Sequence, residues 1–223
     1  MTSRRQKAPA PGFAYAFQQR YTVPMSATAA VLETPAGDPA PQPVHELDLR
    51  AHADAVFDAV SPYEGDGFRN HCKRLFHFAS MLMAQRGVEM PADVAYTVAM
   101  WHDLGLVSEQ DQGHNYLQRS LALFERETKG IDLGEVDPTT LRECLVYNHR
   151  LLAVPGLGQA ADCFRQAVKI EHARGLLRFG LSKAAVNAKF EEYPRENFDR
   201  VLVDFTWRTL KREPLTLVRG VFF

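Results

Sequence analysis

The chain has 223 residues, of which 46% are hydrophobic and 24% charged, so it can bury a sizeable core in one large domain. Its formal net charge of −1 disfavours generic nucleic-acid binding, which needs a basic excess. No apolar run approaches the roughly 18 residues of a membrane span, and the three scattered cysteines suit a reducing compartment. We therefore expect a soluble, cytoplasmic protein whose partner is a small-molecule substrate, not nucleic acid or a membrane.

Residues 1–45 are rich in proline and alanine, a composition that resists both helix and sheet. We expect an extended N-terminal arm here, followed by a helical domain over residues 46–223. The aromatic segment Phe13–Phe17 is too apolar for a plain tail. It is expected to pack against the domain or a neighbouring subunit, which leaves a homo-oligomer open.

From residue 47 onward the hydrophobic pattern has a helical period and no convincing strand, which predicts an all-α fold. Gly87 is expected to end a helix, and Pro91 and Pro138 are typical of a first helical turn. The predicted helices cover 49–60, 67–86, about 91–103, 114–129, a stretch from 138 that includes His149, 159–179, 182–192 and 197–210.

Three histidines lie on the apolar stripes of three separate predicted helices. His71 shares a face with Leu75 and Phe78, while His102 and His149 end similar stripes, and Asp103 follows His102. One histidine on such a stripe is more often a hydrogen-bonded core residue than a ligand. Three of them with an adjacent carboxylate point to a divalent transition metal, namely zinc, iron or manganese.

The same residues carry a resemblance to a known family. His71 followed by His102-Asp103 resembles the HD-domain superfamily of metal-dependent phosphohydrolases. Asn70–Arg74 and Phe164–Ala167 resemble the N-H-x-x-R and F-R-x-A-D-x-x-D motifs of its cyanamide-hydratase-like branch, and the stretch from Tyr193-Pro194 to Pro214-Leu215 resembles that branch's closing helix. The resemblance covers about residues 50–220 and implies an HD-domain helical bundle with a metal held between helices by His71, His102 and Asp103.

The chain departs from that pattern at Val168, where the family has its final metal-binding aspartate. Glu171 and His172 follow three and four residues later, so both share the helical face of Val168. Glu171 also matches the second acidic position of the motif. Either one of these residues replaces the missing ligand, with Glu171 slightly preferred, or the site has lost a ligand.

Further site residues follow from sequence proximity to these ligands. Asp103 is the first candidate for proton handling, with His149 and Glu171 next, and His149 is also a candidate ligand for a second metal. The candidate substrate-binding cations are Arg74, Arg150 and Lys169, which would hold an anionic group if they turn inward. His114 is expected at the surface or at a substrate gate.

Three functions remain open at this stage. The first is a metal-dependent hydratase or hydrolase that acts on a small polar molecule through a metal-bound water. The second is a di-iron oxygenase of the HD type, which needs His149 and at least one more ligand. The third is a non-catalytic HD-like binding protein, motivated by Val168.

Overall fold

The computed structural model describes residues 48–108 and 115–216, which form an all-α bundle. No strand occurs within these two ranges, as the hydrophobic pattern predicts. The predicted arm at residues 1–45 and His114 lie outside the described residues. Among the helices of the described part, none is both long and apolar enough to cross a membrane.

The helices follow one another in the predicted order. They are α1 (Leu49–Val60), α2 (Gly67–Arg86), α3 (Ala92–Trp101), α4 (Tyr116–Glu127), α5 (Pro138–Val146), α6 (Gln159–His172), α7 (Lys183–Glu192) and α8 (Phe198–Arg212). A short 3-10 turn, Leu104–Leu106, follows α3.

Local signals set several of the helix ends. The Asp48 carboxylate accepts from the backbone N–H groups of Arg50 and Ala51 at 3.0 and 3.1 Å, which caps α1. Gly87 ends α2 in the left-handed conformation, with φ of 65°. Such caps satisfy the backbone groups that a helix end leaves unpaired, so these boundaries are readable from the sequence.

Helix α2 is the central element, since it packs against α3, α6, α7 and α8. Its side chains Leu75, Phe78 and Leu82 are fully buried in the core, and His71 on the same face is equally buried. The prediction that His71 points inward is therefore confirmed. This histidine is buried together with the hydrophobic core residues of the same helix face.

Helices α5 and α6 end well before their predicted bounds, whereas α3 and α4 each end two residues early. Helix α6 stops at His172 instead of Phe179, because Arg174 and Gly175 take positive φ angles of 50° and 76°. Helix α5 stops at Val146, and the backbone then turns, with the Arg150 N–H bonded to the Tyr147 carbonyl at 3.1 Å. His149 therefore lies on a turn after α5 and not on the helix itself.

The backbone after Asp103 runs against α4. The Gly105 N–H donates to the Ser120 hydroxyl at 2.9 Å, and a Cβ at Gly105 would overlap the Tyr116 carbonyl oxygen. Only glycine allows this close approach. The glycine that follows the histidine–aspartate pair thus lets the 3-10 turn pack closely on α4.

Candidate metal centre

His71, His102 and Asp103 meet inside the bundle. Each offers one ligand atom, and these atoms all lie within 4.8 Å of one another. Both histidines are fully buried and Asp103 is 2% exposed. Three polar groups buried this closely must satisfy one another or share a cation, so this group could hold a metal ion.

The ring of His102 is held in the tautomer that a metal ligand requires. Its Nδ1 lies 2.8 Å from the Ala99 carbonyl oxygen, which can only accept, so Nδ1 carries the proton. Burial lowers the pKa of His102, which keeps the ring neutral. The lone pair of Nε2 therefore points at Asp103 Oδ2, 3.1 Å away, and at His71 Nε2, 3.3 Å away.

His71 contributes the second imidazole from α2. Its ring stacks on Phe198 with 4.2 Å between centroids, which fixes its plane. Burial alone would lower the pKa of His71, but the carboxylates of Asp103 and Glu171 outweigh that effect and raise it. The atoms that face His71 Nε2 are acceptors, namely His102 Nε2 and Asp103 Oδ2. Either a proton on His71 or a metal cation can satisfy them.

The two carboxylate oxygens of Asp103 face different histidines. Oδ2 lies toward His102 and His71, while Oδ1 accepts from Nε2 of His149 at 2.9 Å. Burial would raise the pKa of Asp103, but the imidazoles around its two oxygens outweigh burial and hold that pKa well below its usual range. Asp103 is therefore an anion that joins α3 to the turn after α5.

His172 closes a ring of four imidazoles around Asp103. Successive centroids from His71 through His102, His149 and His172 and back lie 5.2, 5.9, 5.6 and 6.1 Å apart. His172 is solvent-exposed, and its ring lines the cavity described below. Desolvation by nearby protein atoms and the neighbouring His149 and His71 lower the pKa of His172, so its ring is neutral and able to accept a metal or a proton.

Glu171 is fully buried and has partners other than the three candidate ligands. Arg74 donates to both of its carboxylate oxygens at 2.7 Å, and Arg195 donates to one of them at 2.8 Å. The same carboxylate lies 3.4 Å from Nδ1 of His71, on the far side of the ring from His102. Its metal-ligand role stays a prediction, and the geometry places Glu171 behind His71.

A cavity of about 320 Å³ borders the metal-binding group. Asp103, His149, Val168 and His172 line it, so Val168, which stands where the motif has an aspartate, faces the same space as Asp103. His172, one turn after Val168, is thus better placed than Glu171 to substitute for the absent carboxylate. A larger groove, about 820 Å³, lies between the start of α3 and α5 and touches none of these ligands.

The three predicted substrate-binding cations have separate environments. Arg74 is buried against Glu171, and it also donates to the Tyr193 carbonyl. Arg150 lies over the Tyr147 ring, 5.6 Å from its centroid. Lys169 lines the cavity and donates to the Leu151 carbonyl, which makes it the best placed of the three to meet a ligand.

Several residues near the centre escaped the reasoning from sequence. Phe198 stacks on His71, Tyr116 packs edge-on against His149 at 5.9 Å, and Arg195 bonds Glu171. These residues come from α8, the start of α4 and the loop before α8, far from the ligands in sequence. No local motif marks them, because their role depends on how the helices pack.

In comparisons with known proteins, no family model, no curated protein and no solved structure matched this chain. Function is therefore inferred from the site itself.

Proposed function

We propose that this protein is a metal-dependent hydratase or hydrolase of the HD type that acts on a small molecule through a metal-bound water. The observation that supports this most strongly is the buried group His71, His102 and Asp103, whose ligand atoms lie within 4.8 Å of one another. Three protein ligands with a further open position are typical of catalytic metal sites, whereas structural sites are closed by four.

The donor chemistry fits a divalent transition metal. His102 presents a lone pair on Nε2, because its Nδ1–H is held by the Ala99 carbonyl. Asp103 is ionised, and its Oδ2 faces the same point as that lone pair. Nitrogen and oxygen donors in this mixture suit zinc, iron or manganese, and such a metal lowers the pKa of its bound water toward neutrality.

The surrounding residues supply positions for substrate and protons. His149 donates to Asp103 and lines the cavity, so it can hold a proton next to the reacting group. His172, neutral and open to the cavity, is a second proton acceptor. Lys169 offers a cation at the cavity wall for an anionic group.

A second candidate function is oxidation by dioxygen at two irons. It is favoured by the arrangement of Asp103, whose two oxygens face His102 and His149 separately. The four-imidazole ring offers His149 and His172 for a second ion. This alternative requires two metals per chain, which makes it distinguishable by metal content.

Elemental analysis of the purified full-length protein tests both proposals. We expect about one divalent transition metal per chain, since three ligands serve a single ion. His102→Ala and Asp103→Ala should each remove most of it. Adding metal should raise the melting temperature of the wild type, because a ligand that binds only the folded state stabilises it.

His77→Ala is the matched control, because His77 also lies on α2 but stacks on Tyr193 away from the centre. It should retain its metal. Two irons per chain would favour the oxygenase. A wild type that binds no metal when supplied with zinc, iron or manganese would favour the non-catalytic binding protein.

A further inference from the structure

Much of the cavity wall beside the metal-binding group is apolar. Leu106, Leu151, Leu202 and Phe205 line it, together with the polar residues of the candidate centre. A substrate made only of polar groups would leave this wall in contact with water. Ligand cavities gain affinity from such walls only when the ligand covers them with apolar atoms.

Val168 extends the apolar wall toward the candidate ligands. It is 3% exposed and lines the cavity one turn before His172. A carboxylate here would place a charge in the wall, while valine presents two methyl groups. The residue that departs from the HD pattern therefore also changes what the cavity can accept.

Helix α8 is apolar on two faces. Phe198, Val201 and Phe205 pack inward, while Val203 and Trp207 are 70% and 56% exposed. The outward side chains line a shallow groove of about 390 Å³. A surface helix normally has one apolar face, which it buries in the core. A second apolar face that is exposed to solvent indicates a binding surface.

The groove and the cavity share part of their walls. Leu202 and Thr206 line both the cavity at Asp103 and the outer groove with Val203, Trp207 and Leu210. An apolar surface thus runs from the candidate metal centre across Leu202 to the outside of α8. A second protein copy on α8 would cover only the outer part, whereas one extended ligand covers both.

We infer that the substrate is amphipathic, with an anionic oxygen head group at the candidate centre and a hydrocarbon chain over Leu202 onto the outer face of α8. This inference rests on the proposed function, since the head group is placed by the metal-binding group and Lys169. Val168, Leu202 and Phe205 contact the first part of the chain, and Trp207 contacts its end.

Binding of two phosphonates tests the chain. Calorimetry of the full-length, zinc-loaded protein compares methylphosphonate with n-octylphosphonate, below the concentration at which the latter forms micelles. We expect roughly 100-fold tighter binding of the octyl compound, because three to four fully buried methylenes each contribute about fourfold. Trp207 fluorescence should shift to the blue, while Trp101 is fully buried and serves as a constant background.

Two variants and one control locate the effect. Leu202→Ser and Trp207→Ser should each reduce the octyl-to-methyl ratio by about tenfold, with methylphosphonate affinity unchanged. Leu176→Ser is the control, since Leu176 is 84% exposed, follows α6 and lines neither cavity. It should leave the ratio unchanged.

Three results would overturn the inference. The first is equal affinity for the two phosphonates, and the second is an octyl-to-methyl affinity ratio that is unchanged in both α8 variants. The third is that another partner covers the outer face of α8. That partner would be recognised as a dimer that Trp207→Ser dissociates, or as binding to anionic phospholipid vesicles that Trp207→Ser abolishes.

Metal-free protein separates this inference from the proposed function. If the protein binds zinc but the octyl-to-methyl affinity ratio is one, only the inferred hydrocarbon chain is contradicted. If the protein binds no zinc but the affinity ratio is high, the metal-dependent function is contradicted and the inferred binding of a hydrocarbon chain stands.

Discussion

Glu171 and Arg74 form a buried two-point ion pair, in which Nε and Nη2 of Arg74 donate to the two carboxylate oxygens at 2.7 Å each. Both side chains are fully buried. The two residues come from the two motifs that resemble the HD family, on α2 and α6. Their pairing joins these helices directly behind His71, so the glutamate acts on the centre through the position of His71.

Glu171→Gln should destabilise the fold and leave metal content nearly unchanged. Removing one charge of a buried pair strands the other, which costs about 3–5 kcal/mol. Urea unfolding measures the loss, with Glu191→Gln on the exposed surface of α7 as the control. Loss of metal from a well-folded Glu171→Gln protein would instead make Glu171 a ligand.

The same pair predicts an acid limit to stability. Burial opposes ionisation of Glu171, but Arg74 and His71 outweigh it and lower its pKa from 4.5 to about 2. The unfolded chain takes up the proton first as the pH falls, so the stabilisation is present above about pH 4.5 and is lost toward pH 2. The difference in free energy of unfolding between the wild type and Glu171→Gln should therefore shrink by roughly 3 kcal/mol over this range.

Zinc binding should release a proton and strengthen as the pH rises. Asp103 and Glu171 raise the pKa of His71, which favours the protonated ring in the absence of metal, and a ligating nitrogen must lose its proton. Calorimetry in buffers of different ionisation enthalpy measures the released proton. An apparent zinc affinity that does not vary with pH from 5 to 8 would contradict this prediction.

Val168→Asp should raise zinc affinity. The new carboxylate would face the cavity that Asp103 and His172 line, while Glu171 remains occupied by Arg74. Loss of a residue that hydrogen-bonds to a metal ligand lowers metal affinity by about 10- to 100-fold. A new direct ligand should change zinc affinity by at least as much. Competition titration with a chelator measures the gain.

Val168→Asn is the control for that variant, because it has nearly the same shape as aspartate without the charge. It should not raise the affinity. If Val168→Asp binds zinc no better than Val168→Asn, the carboxylate does not reach the ion, and the position is part of the cavity wall alone.

Arg165→Met should loosen the turn that carries His149. Arg165 Nη1 donates to the Arg150 and Leu152 carbonyls at 3.4 and 3.2 Å, and Lys169 donates to the Leu151 carbonyl between them. Hydrogen bonds to a charged group contribute about 1.5–3 kcal/mol, so amide exchange around His149 should rise roughly tenfold or more. Hydrogen exchange measured against the α2 amides tests this.

Arg142→Met, on the exposed side of α5, is the matched substitution for comparison. It should leave exchange around His149 unchanged. Equal exchange in the Arg165 variant and the wild type would show that the turn is held by other contacts.

Local chemistry in the sequence determined the helices and part of the centre. The Asp48 cap and the Gly87 stop act on their own backbone neighbours, so α1 and α2 could be predicted with their observed ends. The inward position of His71 followed from the helical period, because one face of a long helix must enter the core. His102-Asp103 could likewise be recognised as a candidate ligand pair.

Only the tertiary structure decided which partners these side chains have. Helical spacing placed Glu171 and His172 near Val168 equally, and packing then gave Glu171 to Arg74 and opened His172 to the cavity. His149 reached Asp103 from a turn that its stripe did not predict. Such pairings depend on distances between segments far apart in the chain, whereas periodicity and capping report only on neighbours within one helix.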